Sequence, residues 1–591
     1  MGDHPDWMNR RKHNVKNNLI RLDYLTATSA FDRLRALRGT NENPVALINW
    51  PNTQPYCFGW DGLDGYDYVP MEMQLHALLK ENPGLRFILS FGSLHGTPYY
   101  WARDHLEELA LFHLGKPMQQ ASLGSTLWTK ESSEAARRYA AHFSQSEFSD
   151  RIVGFFPFST AVDWHGIGET LVNIPAHETP GNTEFPLEGD FSKPMLAAFR
   201  AFLTERYETD RALQAAWKNS GITLATAEIP TRIEVRSPLP NVRDYFECYN
   251  ELNAKLCIVW CEALKAGAPD KTVLVTHGQT FGWPAENLSP QGSGHNAPER
   301  LLASPAIDGF ISSAAGERDQ RNPLPRHATA SLHLHGNQVF HELNLLGLRE
   351  ISPANQCAEI TLGIGYAAVN QCGISLGEPR EGRGSMKDSR EQFNPLPCDD
   401  DAVRAHLKKL LAWHASASGK PMAEVAVFHS PRGSYHRAME KRFNEVRIEK
   451  FRNETLARIG LPFDEYLLSD FVTVSAKYKA WIFLDAADIS SKDWKTVEEH
   501  PGRALFAAQG KPITDPATLR AFAKRNGVDA WCDSNDTLFA NDSVCVFAAH
   551  TAGKKTIRLP KGNWINALTD EPSTGVFQTL EKQVILLARG K

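Results

Sequence analysis

Eight short apolar segments lie before residue 380, many separated by stretches of helical character, and this alternation constrains the fold more than any other feature. They are Val45–Asn49, Leu85–Phe91, Gln119–Leu123, Ile152–Phe156, Val273–His277, Ile307–Ser312, Gln338–His341 and Tyr366–Ser375. Most are rich in Val, Ile, Leu and Phe, with Gly or Pro near one end. A strand covered on both faces reads as a near-continuous apolar run, because neither face meets water. Strands of this kind alternating with helices predict an α/β chain closed into an eight-stranded β/α barrel. The clearest helix follows Ser192. That serine is suited to the N-cap and Pro194 to the first turn, while Leu196, Phe199, Phe202 and Leu203 share one face. On this count Asp163 follows the fourth strand and Glu342 ends the seventh.

A Gly-, Pro- and charge-rich stretch from Gly377 to Asp401 then breaks the pattern. A second alternation follows: Ala423–Phe428, a charged helix near Arg437–Ile459, Glu465–Leu468, Ala480–Leu484, a further helix, and Ala504–Ala508. The final stretch carries only strand-like runs, Ser543–Phe547, Lys555–Leu559 and Gln583–Leu587. The expected organisation is a barrel over 1–400, a smaller open α/β unit over 401–528 and a small β unit over 529–591.

Composition removes several classes of function. The 591 residues carry a net charge of −5, so neither a nucleic-acid partner nor a polybasic membrane surface is expected. No apolar run reaches the roughly 18 residues that span a bilayer. The first residues have no apolar segment behind their basic cluster, so no signal peptide is read there and a cytoplasmic setting is expected. The nine cysteines are scattered. Cys257 and Cys261, four apart, read as buried small residues on one helix, since no second Cys or His pair completes a metal site. Phosphate loops, dinucleotide fingerprints and serine elbows are missing from the sequence.

Two carboxylates carry the candidate chemistry. Residues at the carboxyl ends of barrel strands point into the site that such barrels share. Glu342 closes the run Gln338-Val-Phe-His-Glu342, and Asp163 sits in Val162-Asp163-Trp164-His165 after the Ile152 strand. Two carboxyl groups facing each other across a cleft are the minimum machinery for cutting a glycosidic bond. The bland alternatives are a strand-end salt bridge for Glu342 and a surface loop for Asp163, with Glu169 and Glu178 as competitors for the acid. Trp60, Trp101, Trp164 and Trp283 crowd into loops after strands, beside Tyr99 and Tyr100, where flat rings suit the C–H faces of sugars. His165, His277, Arg318 and Asn344 fall in the same strand-end regions and are expected to contact substrate. His333 and His335 form a His-x-His pair. On a strand they would face one side, as some metal ligands do. With no acidic or Lys partner in view, substrate contact by His335 or packing is preferred, and no metal or organic cofactor is expected.

Longer stretches resemble a known family. Asp190–Trp217 is similar to the helix after strand four in the family 42 β-galactosidases of glycoside hydrolase clan A. Ile307–Ser313 followed by Ser331–Asn344 resembles the segment leading to their nucleophile. Arg458–Asp470 and Tyr478–Leu484 resemble their second domain. The resemblance implies a retaining exo-glycosidase with a small saccharide substrate, Glu342 as nucleophile, Asp163 as acid/base, and a homodimer or homotrimer. The sequence departs from the family at two places. The family has an Asn-Glu or Glu-Trp pair where Asp163-Trp164 stands, and a tryptophan-rich segment where Gly373-Ile-Ser-Leu-Gly-Glu378 stands. A barrel that binds sugar without cutting it, and a metal-dependent hydrolase using His333 and His335, are the other two readings.

Overall fold

The computed structural model describes residues 45–48, 59–81, 83–91, 97–111, 117–157, 190–231, 233–281, 294–313, 323–344, 348, 351–377, 400–436, 448–507 and 513–590. Seven strands form one parallel sheet in chain order: Val45–Ile48, Arg86–Phe91, Ile152–Pro157, Thr272–Val275, Gly309–Ser313, Gln338–Asn344 and Gly373–Gly377. Each pairs in parallel with the next. Helices return the chain between strands, as parallel pairing requires. Ile88, Phe156, Leu274, Ile311 and Phe340 come from five successive strands and pack together as the inner cluster of the barrel. The opposite strand faces join the larger core beneath the surrounding helices.

Two of the expected strands are corrected. Pro117–Ala121, which overlaps the expected Gln119–Leu123 segment, pairs antiparallel with Leu109–Leu111 outside the parallel sheet. Its Pro-Met-Gln-Gln-Ala sequence is too polar for a strand buried on both faces. Within the described parallel sheet the Ile152 and Gln338 strands are therefore the third and sixth. The Tyr366–Ser375 segment divides in two. Tyr366–Val369 is the last turn of a helix spanning Pro353–Val369, and only Gly373–Gly377 is strand. That helix starts at Ser352, whose hydroxyl accepts from the Asn355 amide, and continues through an apolar run that periodicity alone reads either way. The Lys193–Tyr207 helix follows its expected cap, with Ser192 Oγ accepting from the Met195 amide.

A second parallel sheet follows, in the order Phe463–Leu467, Val425–His429, Ala480–Asp485, Ala504–Phe506. A third, antiparallel sheet contains Thr537–Ala540, Val544–Ala548, Val584–Arg589, Trp564–Asn566 and Pro572–Ser573. Both brace the barrel. The Pro353–Val369 helix lies between the Gln338 strand and the third sheet. A side chain at Gly363 would meet Leu343 Cδ2 at 2.3 Å, and one at Gly365 would meet Val546 at 2.8 Å. The two glycines thus let the helix approach both neighbours. The Tyr366 ring packs edge-on to Phe539, with centroids 4.9 Å apart. Ser331 Oγ donates to Asp470 Oδ2 at 2.6 Å and accepts the Leu467 amide at 2.7 Å, which ties the second sheet to the barrel. Among the described residues no helix is long and apolar enough to cross a membrane.

Candidate active site

Glu342 owes its place to the two-residue period of a strand. Phe340 belongs to the barrel's inner cluster. Side chains two apart on a strand share a face, so Glu342 also faces the barrel axis, one step nearer the carboxyl end. It is partly exposed. In the neighbouring strand its register partner is Ser375, also partly exposed. His341, between Phe340 and Glu342, faces the other way. It is buried against the Pro353–Val369 helix, its ring 5.2 Å from that of Tyr366. Burial alone holds its pKa down to about 4, so the ring is neutral at pH 7.

The segment after the Thr272–Val275 strand forms a second part of this end of the barrel. Thr276, His277, Gln279, Thr280 and Phe281 are all buried. The His277 ring stacks on His295 with centroids 4.5 Å apart. Gly278, at φ +86°, donates its amide to His295 Nδ1 at 3.0 Å. That nitrogen must therefore carry a lone pair, leaving the proton on Nε2. His327 bridges the carbonyl of His277, at 3.1 Å from Nε2, and the hydroxyl of Ser312, at 2.8 Å from Nδ1. A carbonyl only accepts, so Nε2 of His327 carries its proton. Desolvation first and the neighbouring His327 second push His277 down to about 3, against the opposing pull of the Gly294 carbonyl. Desolvation lowers His327 to about 4. Both rings are neutral hydrogen-bonding groups at pH 7.

The remaining expected site residues divide into three groups. Asp163, Trp164, His165, Trp283 and Arg318, with the competitors Glu169 and Glu178, lie outside the described residues. Asn344 is the last residue of the Gln338 strand. Three others are corrected. Trp101 is 0 % exposed, and its indole N–H donates to Glu131 Oε2 at 2.6 Å. Trp60 is buried too, its ring stacked on Trp128 with centroids 6.1 Å apart, and Trp128 also meets Trp101 at 4.9 Å. A tryptophan buries more surface than any other side chain, and here the core takes the rings intended for sugar. His335 sits beyond the amino end of the Gln338 strand, as the C-cap of the Thr329–Leu334 helix, and its Nε2 contacts Asp470 Oδ1 at 2.9 Å. The four-residue step from Gln338 to Glu342 alone covers about 13 Å. His333 lies on the helix, not on a strand, and contacts the Asn370 carbonyl at 2.9 Å. The His-x-His pair is therefore structural. His277 keeps its place at a strand's carboxyl end. Gln279, His295, His327 and Ser375 were not anticipated; the cluster of polar residues just past an apolar strand was the available signal.

The chain thus combines a parallel β/α barrel with an inward strand-end carboxylate, a second parallel sheet and a terminal antiparallel sheet. Among solved structures, the chain is similar to family 42 β-galactosidases along nearly its whole length. The β-galactosidase of Bacillus circulans sp. alkalophilus superposes with a TM-score of 0.65 at 12% identity, covering 96% of this chain and 97% of that one. The polyextremophilic β-galactosidase of the haloarchaeon Halorubrum lacusprofundi gives 0.64 at 11% identity, covering 95% and 97%. A family 42 exo-carrageenase from Bacteroides ovatus gives 0.58 at 11% identity, covering 93% and 80%. The fold thus agrees with the resemblance carried by Asp190–Trp217 and Ser331–Asn344. No protein-family model and no curated protein sequence matches the chain.

Proposed function

We propose that this chain is a retaining exo-glycosidase acting on β-linked sugars, galactosides first and mannosides or related sugars second. The observation that carries the reading is the inward position of Glu342 at the carboxyl end of its strand. Glu342 attacks the anomeric carbon and forms a glycosyl ester. Asp163 protonates the departing oxygen, then takes a proton from the water that cleaves the ester. The two carboxyls carry all the proton and covalent chemistry, so the mechanism uses no metal or organic cofactor. Solved β-galactosidases, one of them of family 42, share the fold, which supports the choice of sugar. Assembly as a homodimer or homotrimer belongs to the same proposal and is measured by sedimentation.

The test is a panel of nitrophenyl glycosides with two variants. Glu342→Ala abolishes turnover of every substrate, because no glycosyl ester forms. Asp163→Ala is mild on aryl glycosides, whose leaving groups need little protonation, and severe on natural sugars. General acid help is typically about 10²–10⁴-fold, and the gap between substrate types falls in that range. Azide restores rate to Asp163→Ala and yields a β-glycosyl azide. If Glu169→Ala or Glu178→Ala shows this pattern instead, the acid is misassigned while the nucleophile stands. Sugar binding that survives Glu342→Gln, with no turnover in the parent, favours a binding barrel that has lost its acid.

A further inference from the structure

The segment from Thr276 to Phe281 is bonded through its backbone, while the side chains of His277, Gln279 and Thr280 carry buried polar atoms without a hydrogen-bond partner. The Thr280 and Phe281 amides donate to the Arg326 carbonyl at 2.8 and 3.1 Å. The Gly278 amide donates to His295 and the His277 carbonyl accepts from His327 Nε2, so the turn is clamped from two sides. Yet Gln279 is 0 % exposed and neither its Oε1 nor its Nε2 has a hydrogen-bond partner. The Thr280 hydroxyl is also buried and without a partner. Buried polar side chains almost always find a partner, because water is lost without compensation otherwise. A rigid frame that presents unpaired donors and acceptors just past the carboxyl end of a barrel strand is the form of a ligand subsite.

We infer that Gln279 and Thr280 form a hydroxyl-recognition subsite for a sugar. A primary amide offers one acceptor and two donors side by side, which match two neighbouring ring hydroxyls. The imidazole of His277, on the same segment, is neutral and adds no charge for an acidic sugar. Two cations lie close to the segment among the described residues: Arg452, over Phe281 at 4.0 Å and paired with both oxygens of Glu465, and Arg326, whose charge adds to desolvation in lowering the His327 pKa. The inference deepens the glycosidase reading and rests on it.

The experiment pairs Gln279→Met, which keeps the volume and removes the amide, with Thr280→Val, which keeps the shape and removes the hydroxyl. Three readouts are taken: melting temperature; kcat/KM on nitrophenyl β-galactoside, β-glucoside and β-mannoside; and the thermal shift given by free galactose, glucose or mannose. A separate arm labels Glu342 with 2-fluoro derivatives of the same sugars. The subsite predicts that Gln279→Met melts at or above the parent temperature, since an unpaired buried amide is gone, while kcat/KM falls about 10- to 100-fold. Thr280→Val loses less in the same direction. If Glu342 is labelled and both variants keep full kcat/KM, the subsite is refuted and the glycosidase reading stands. If no label and no turnover appear, but sugar stabilises the parent and not Gln279→Met, the glycosidase reading falls and the subsite stands. If sugar neither stabilises the parent nor is cut by it, both fall. A Gln279→Met chain that melts lower with unchanged kinetics marks the amide as structural and overturns the inference.

Discussion

Three buried histidines, His277, His327 and His341, give the carboxyl end of the barrel a pH signature. Each has its folded pKa held below the ordinary value of 6.5, to about 3, 4 and 4. A histidine of this kind takes its proton readily only in the unfolded chain. Its contribution to stability is whole above pH 6.5 and is lost progressively as pH falls toward the folded value. Each group adds up to about 1.4 kcal/mol per pH unit in that window. Buried carboxyls act in the opposite sense. Burial raises Asp190 and Asp464, so acidification relieves the cost of holding their charge. His341 is the cleanest probe, because burial is the sole cause of its shift and no partner holds either nitrogen. His341→Phe is expected to flatten the fall of melting temperature between pH 6.5 and 4 by close to one proton's worth, with little change at pH 7. An unchanged acid slope would show that His341 is protonated in the folded chain. At this scale the sequence was only half legible. Glu342 was legible as a residue near the carboxyl end of the Gln338 strand, whereas the loop tryptophans read as sugar platforms. Trp60 and Trp101 went to the core because each indole had a carbonyl or carboxylate within the fold to accept its N–H: Leu63 for one, Glu131 for the other.

The parallel strands were legible because burial on both faces writes an unmistakable apolar run, as in Arg151-Ile-Val-Gly-Phe-Phe-Pro157. The errors came where that rule does not discriminate. Tyr366–Val369 is apolar because its helix is covered on one side by the barrel and on the other by the third sheet, and an all-round apolar helix looks like a strand. Only the contact with Val546, some 180 residues away in sequence, resolves it. That contact also predicts a mutational effect. A Cβ at Gly365 would stand 2.8 Å from Val546 Cβ and Cγ2, and these belong to a β-branched residue on a paired strand that has little room to turn. Gly365→Ala is therefore overpacked and expected to cost about 1–3 kcal/mol in urea unfolding, despite the better helix propensity of alanine. Gly363→Ala meets only the far end of Leu343 and should cost less. However, Leu343 follows Glu342 directly, so Gly363→Ala is expected to lower kcat more than its stability loss suggests. Equal stability losses at the two glycines would mean that the helix is not wedged between the two layers as described.

At the scale of the whole molecule, the second sheet is joined to the barrel through charged groups taken out of water. Arg452 is 0 % exposed and meets both oxygens of Glu465, at 2.7 and 2.8 Å. It also donates to the Pro325 carbonyl at 2.7 Å and lies over the Phe281 ring, so one side chain touches the second sheet and two loops of the barrel. Arg432 makes a second link, to Glu247 and Glu251 on the Pro240–Gly267 helix. None of this was visible in sequence, where Arg452 is one of many charges in a helical stretch; long-range pairing of two charges leaves no local pattern. A buried ion pair gains little over well-packed apolar residues, but breaking one side strands the other. Arg452→Met is expected to cost about 3–5 kcal/mol, because Glu465 is left in the interior without its partner. The double variant Arg452→Met with Glu465→Met should recover most of that loss, falling short by about 1 kcal/mol for the Pro325 carbonyl that loses its donor. Activity should not recover in parallel. The guanidinium supports Phe281, which closes the Gln279 segment, and a thioether provides neither the cation over the ring nor the bond to Pro325. Urea unfolding and kcat/KM on the best nitrophenyl glycoside, measured for the single and double variants, separate the two effects. A double variant as unstable as the single one would show that the pair serves packing rather than charge compensation, and one with full activity would show that the second sheet reaches the catalytic end of the barrel without shaping it.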